Sequence, residues 1–195
     1  FFLISGLFLS RVIDRPWRQY LDKKAVHYLY FFGLWTLIYF PLLALQGKAG
    51  NTPGDAAAYL VQLFYDPFGM LWFIQMLAVY FLMTRLLRDV PVWVVVPLAL
   101  LWQMFPVKTS LHQFDRIGER FIYFYAGYAF APSFFQLADW ARNRRQVAAL
   151  CLVVWAGLNG VIVQQGFSKL PGIAAALGFI GAGAVIMASS LLAPL

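Results

Sequence analysis

The chain predicts an all-α fold, a polytopic bundle of transmembrane helices. Composition is the first reason: 62% of the 195 residues are hydrophobic, only 12% are charged, and the mean hydropathy is +0.71. Soluble domains hold roughly 25% charged residues, so the polar surface needed to cover a water-soluble globule is missing. Patterning is the second. The apolar residues form unbroken blocks, whereas a membrane barrel would show alternating segments of about ten residues. Lipid accepts only those two architectures, because every backbone polar group must be satisfied within the protein.

Taken in order, the blocks give about six full spans and one truncated span. Residues 1–10 open the chain and cover about 15 Å as a helix, half of a roughly 30 Å hydrocarbon core. With no Met in front, this run reads as a helix cut through, and the chain as a fragment of a larger bundle. Ser5-Gly6 in its middle admits either another backbone or a ligand, which bulky side chains would keep away. A basic stretch follows, with Arg11, Arg15, Arg18, Lys23 and Lys24 set against Asp14 and Asp22. Pro16 suits the first turn of a helix, so residues 16–24 predict a short interfacial helix carrying Trp17 and Tyr20.

The first full span covers residues 26–45. A polar loop at 46–55 leads to a weakly amphipathic stretch, 56–65, that lies on the surface or re-enters the membrane. The second span, 70–87, is closed by Arg85, Arg88 and Asp89. Pro91 starts a short third span ending near Phe105-Pro106, and the loop after it holds Lys108, His112, Asp115 and Arg116. The fourth begins near Glu119-Arg120 and runs to about Leu137, with Pro132 bending its far end. A polar turn at 139–146 precedes the fifth span, 147–163, and a loop at 164–171 precedes the sixth, 172–192. The whole of 1–195 reads as a single transmembrane domain, incomplete at the N-terminus and at the C-terminus.

Charge sets the orientation. Of the 15 Lys and Arg residues, ten fall in one set of alternate loops, at 11–24, 85–88 and 142–145. Loops rich in Lys and Arg stay on the cytoplasmic side, so that set faces the cytoplasm. The net charge of +7 is therefore a topology signal, and no nucleic-acid partner is expected. Cys151 is the lone cysteine and excludes an internal disulfide. The opening has neither the positive n-region nor the cleavage site of a signal peptide.

Few residues are candidates for chemistry. His27, His112 and Cys151 have no ligand spacing, so no metal is expected. No phosphate loop, dinucleotide fingerprint or nucleophile elbow is present. The cations from Arg11 to Lys24 suit a phosphorylated ligand such as a CoA, and they equally suit lipid headgroups. Glu119 and Arg120 are ionisable residues at the edge of an apolar span, which makes them functional candidates or a snorkelling pair. Tyr123, four residues on, shares a helix face with Glu119. Trp72, opening the second span, fits an aromatic belt. Ala174, Gly178 and Ala182 form a small-residue stripe that serves helix packing.

Three pieces, in this order, resemble the membrane acyltransferase-3 family. They are Phe1-Phe2-Leu3-Ile4-Ser5-Gly6 followed by the Arg-rich loop, Leu71-Trp72-Phe73-Ile74 opening a later span, and Glu119-Arg120-Phe121-Ile122-Tyr123-Phe124-Tyr125-Ala126-Gly127-Tyr128. The resemblance covers most of the chain. It implies an integral-membrane bundle of about ten helices that moves an acyl group, often acetyl, from a cytoplasmic acyl-CoA to hydroxyls of an exported glycan or lipid-linked sugar. Acyl-CoA is then a co-substrate, no bound cofactor is expected, and the location implied is the bacterial inner membrane. The family's catalytic Arg and His, some eleven residues apart, would precede Phe1, and neither His27 nor His112 matches them, so the chain alone is expected to be inactive. By the same resemblance Ser5 and Gly6 line the acyl-donor path, and Arg11, Arg15 and Arg18 approach its phosphates. Trp72 and Glu119-Arg120 border the acceptor. Acyl transfer also needs donors for the developing oxyanion, a role open to Tyr123 or a buried Arg.

A second reading is a transporter or flippase of a lipid-linked or anionic solute, with Glu119-Arg120 on its pathway. A third is an anchoring subunit with no site. An upstream apolar helix bearing Arg and then His favours the enzyme, and inverted repeats of these spans favour the transporter.

Overall fold

In the computed structural model, residues 1–50, 52–105, 112–167 and 170–193 are described, with backbone alone at 112–114, 116 and 171. The described residues are helical, with no strand among them. In chain order the helices are α1 (Phe2–Leu9), α2 (Trp17–Tyr20), α3 (His27–Leu45), α4 (Pro53–Tyr65), α5 (Leu71–Leu86), α6 (Val92–Met104), α7 (His112–Ala129), α8 (Ala131–Asn143), α9 (Arg145–Gln164) and α10 (Pro171–Leu192). Three helical stretches are long and apolar enough to cross a membrane: Trp17–Leu45, Arg145–Gln164 and Gly172–Leu192, of 29, 20 and 21 residues. On α9, Leu150, Val153, Leu158 and Val161 are all exposed, a surface that lipid solvates and water does not. With 16 and 13 residues, α5 and α6 are apolar but reach only about 24 and 20 Å, less than the hydrocarbon thickness. In α7 the 18 residues include Asp115, Arg116, Glu119 and Arg120.

The basic stretch does not form a separate interfacial helix. Nothing between Tyr20 and His27 breaks a helix, and a π-helical segment, Leu21–Val26, joins α2 to α3. There the His27 N–H reaches back five residues to the Asp22 carbonyl, the wider spacing of a π turn. Lys23 and Lys24 thus ride on the first turns of a membrane helix. The expected turn at 139–146 is also helical on both sides of one residue. Asp139 to Asn143 complete α8 and Arg145 starts α9, so Arg144 alone leaves the helix, at φ −126° and ψ 55°. Hydropathy falls across this stretch, but Asp, Trp, Ala and Arg all tolerate helix, and polarity by itself ends none. Pro132 marks a restart: Phe130 turns out of the helix at φ −106° and ψ 21°, and Pro132 takes the first turn of α8, where its missing N–H costs nothing. The loop residue Lys108 lies outside the described residues.

The chain forms two compact units. One holds Phe1–Ser10, Val92–Pro106 and Glu119–Leu195. Within it Leu3, Leu7 and Ala131 form a buried core that Tyr123, Phe134, Phe135, Phe179, Ala182 and Ile186 surround. The helices α1 and α7 meet through glycines. A Cβ on Gly6 would collide with the Phe124 carbonyl oxygen and lie 3.0 Å from the Tyr128 nitrogen, and a Cβ on Gly127 would collide with the Leu3 carbonyl. Backbone therefore packs on backbone at this crossing, the close approach that small residues allow in lipid. Gly178 of the α10 stripe receives the Tyr123 ring in the same way.

The other unit holds Arg11–Pro91 and Val107–Gly118. Here α3, α5 and the π segment pack together, with α4 against α3. Tyr28 stacks on Phe81 with ring centroids 5.4 Å apart, and Phe32 meets Phe64 edge to face at 5.6 Å. The start of α4 is fixed by a capping box, in which Thr52 Oγ1 accepts from the Asp55 N–H at 3.1 Å and Asp55 Oδ2 accepts from the Thr52 N–H at 3.2 Å.

Candidate functional site

The basic segment sits on a floor made by the C-terminal end of α5. Arg85, only 7% exposed, donates from Nη2 to the Arg15 carbonyl oxygen at 2.9 Å. Its guanidinium lies 5.2 Å from the Trp17 ring centroid and 5.4 Å from that of Tyr20, within cation–π range of both. Tyr20 in turn donates its hydroxyl to the Phe81 carbonyl at 2.7 Å. Arg88 pairs with Asp14 at 3.4 Å and with Asp89 at 3.1 Å. Four points of attachment thus set the backbone from Asp14 to Tyr20, on which the side chains of Arg15 and Arg18 stand exposed, and Arg11 is exposed just before it. Each arginine presents a planar fork of donors that matches phosphate or carboxylate oxygens.

Trp72 lies at the other end of the same helix. It is half-buried and meets Phe73 edge to face at 6.2 Å. Beside it, Leu71 lines a cavity of about 360 Å³ whose walls include Trp35, Tyr39, Phe68 and Ile74. From Trp72 to Arg85 the helix rises about 20 Å, so the expected donor-side and acceptor-side residues of this unit stand at opposite ends of α5.

In the unit of α1 and α7, Glu119, Arg120 and Tyr123 follow one another along α7. Glu119 and Arg120 are half-buried, and they lie two turns inside the helix because α7 starts at His112. The Tyr123 hydroxyl accepts from Gln103 Nε2 of α6 at 2.7 Å and donates to the Ala174 carbonyl of α10 at 3.5 Å. The first bond is short and the second is at the limit of a hydrogen bond. This hydroxyl therefore ties α6, α7 and α10 together, and the bond it donates is the weaker of the two. Gly6 faces the backbone of α7 at Phe124, and Ser5 beside it is half-buried. The small residues of α1 and the candidate residues of α7 thus share one helix crossing. Each of the two units holds its own share of the candidates.

A family model described as an acyltransferase domain matches residues 1–195, the whole chain. The chain belongs to the acyltransferase-3 family. No curated protein and no solved structure matches it. Membership together with the three long apolar helices makes it an integral-membrane protein of an acyltransferase family.

Two residues of this acyltransferase-3 domain escaped the sequence reading. Arg85 counts there only as a charge that orients a loop, and Gln103 is not singled out at all. A signal exists for each: a lone ionisable or amide side chain within a turn of an apolar helix end needs a partner, and both find one on another segment. Gly178 was legible as part of a packing stripe, but only the fold reveals that it faces the Tyr123 ring and that Gly127 faces the Leu3 carbonyl.

Proposed function

We propose that this protein is an integral-membrane O-acyltransferase of the bacterial inner membrane. It moves an acyl group, acetyl by preference, from cytoplasmic acyl-CoA to hydroxyls of an envelope glycan or lipid-linked sugar, a polysaccharide O-acetylation. The observation that carries the reading is the family match over the entire chain. The basic platform on α5 supports it, because an acyl-CoA separates its phosphates from its thioester by a long flexible arm. Phosphates held by Arg11, Arg15 and Arg18 at one end of α5 leave the thioester free to travel toward Trp72 at the other.

In the transfer, the acceptor hydroxyl oxygen attacks the thioester carbonyl carbon and loses its proton to a general base. A C–O bond forms, and negative charge gathers on the carbonyl oxygen. Arg120 and the Tyr123 hydroxyl stabilise that oxyanion, and Glu119 orients the acceptor by hydrogen bonding. Collapse of the intermediate breaks the C–S bond, and the thiolate recovers the proton. A membrane-embedded site keeps bulk water from hydrolysing the thioester.

The test is transfer of labelled acetyl from acetyl-CoA to envelope glycan in membranes holding the full-length protein. Arg18→Ala should raise the KM for acetyl-CoA, and Trp72→Ala should lower transfer to the acceptor, with both variants expressed at wild-type levels. Wild-type transfer in both would remove these residues from the site, and absence of any transfer by the wild type would end the proposal.

A further inference from the structure

Arg85 holds more donors than its neighbours use. A guanidinium offers five N–H groups, and within the chain Nη2 serves the Arg15 carbonyl while Nη1 is buried without a hydrogen-bond partner. The adjacent Thr84, fully buried, also has an unpartnered Oγ1. Among the described residues no carboxylate lies within ion-pair distance of Arg85, because Asp14 and Asp89 both pair with Arg88. The aromatic faces of Trp17 and Tyr20 offset part of the cost of burying this cation. More positive charge lies alongside. Lys24 Nζ stands 4.9 Å over the ring of Phe81, one turn before Arg85, and interacts electrostatically with Arg15. Arg15, Lys24 and Arg85 thus form a cluster of three cations with no carboxylate partner among the described residues.

We propose that Arg85 is the buried anchor of a phosphate-oxyanion site that Arg15 and Lys24 complete. The proposal rests on the reading that donor phosphates approach the basic segment, and it deepens that reading. It assigns the fixed end of the site to α5, with the exposed arginines around it. A phosphate oxygen accepts from Nη1 and neutralises the buried charge, a charge-assisted bond of the strong kind. The same chemistry is available from the phosphates of an acyl-CoA and from the headgroup of an anionic phospholipid.

Binding of inorganic pyrophosphate to the full-length protein in phosphate-free maltoside micelles, followed by calorimetry, tests the site. The wild type should bind, and Arg85→Gln should weaken binding about tenfold or more. Arg85→Gln also removes the bond to Arg15, so Arg15→Gln and Lys24→Gln carry the same test without touching a hydrogen bond of the fold, each expected to weaken binding severalfold. Arg142→Gln, exposed on α8, should leave it unchanged. Competition by CoA assigns the site to the donor, and competition by phosphatidylglycerol in mixed micelles assigns it to a headgroup; either supports the oxyanion site. Equal pyrophosphate affinity in the wild type and all three cluster variants would overturn it, as would absence of binding. Arg85-dependent binding in a protein that transfers no acetyl would keep the site and remove the acyltransfer reading. Normal transfer by the wild type together with equal pyrophosphate affinity in all three variants would do the reverse.

Discussion

The crossing of α1 and α7 sets a sharp steric test. At Gly6 an added methyl meets the Phe124 carbonyl oxygen, with the Tyr128 nitrogen at 3.0 Å, and at Gly127 it meets the Leu3 carbonyl, with the Leu3 Cα at 3.1 Å. Ordinary contact between carbon atoms lies at about 3.5–4.0 Å, so either alanine forces the helices apart. The obstructing atoms are backbone on both sides, and no rotamer change relieves them. Overpacking costs about 1–3 kcal/mol, and each single variant should fall in the upper half of that range. The two substitutions press on the same helix pair, so the separation that admits one methyl makes room for the other. The double variant should then cost less than the two singles together, by about 0.5 kcal/mol or more, a coupling typical of residues in contact. Gly157→Ala and Gly160→Ala on α9, where nothing lies within 4 Å of the added methyl, are the controls. Each should be neutral or stabilising by up to about 1 kcal/mol through helix propensity. Unfolding titrations in mixed micelles, followed by helical circular dichroism, give the four free energies. Wild-type stability at Gly6→Ala and Gly127→Ala, or strict additivity between them, would refute the backbone-on-backbone crossing.

Two further outcomes follow from individual hydrogen bonds. Tyr123→Phe strands the Gln103 amide, whose Oε1 already lacks a partner, and should destabilise the protein by about 1–3 kcal/mol; adding Gln103→Leu should recover most of that loss, because replacing both partners by apolar groups is close to neutral. A double variant no more stable than Tyr123→Phe would contradict this. Thr52→Ala removes the side-chain acceptor of the α4 capping box and should cost about 1 kcal/mol. Hydrogen exchange at the amides of Gly54, Asp55 and Ala56 should speed up while α5 stays protected, and unchanged exchange there would count against the cap.

Much of the helical frame was legible because a membrane span is read by length and hydropathy. The strongest blocks, 26–45, 147–163 and 172–192, return within α3, α9 and α10. Hydropathy was a poor guide to where helices end. The segments 17–24, 112–118 and 139–143 are polar and still helical, since backbone hydrogen bonding continues until a residue such as Phe130 or Arg144 leaves the helical region. The candidate site was legible in its charges and not in its supports. The arginines at 11, 15 and 18 stand out in any reading of the chain, whereas the residue that fixes their backbone, Arg85, lies on another helix, |i−j| = 70 from its Arg15 partner. Ser5-Gly6 admitted a backbone or a ligand on sequence alone, and the fold puts the Phe124 backbone against Gly6. Partners so distant in the chain leave no local pattern.

The most direct test of the proposed activity uses sealed vesicles of both orientations made from cells holding the full-length protein, given labelled acetyl-CoA from outside only. Inside-out vesicles, which expose residues 11–24 if the Lys and Arg count sets the orientation, should label the envelope acceptor, and right-side-out vesicles should not until they are permeabilised. Labelling in sealed right-side-out vesicles would contradict the account, because a donor arriving from that face would never meet the arginines of the basic segment.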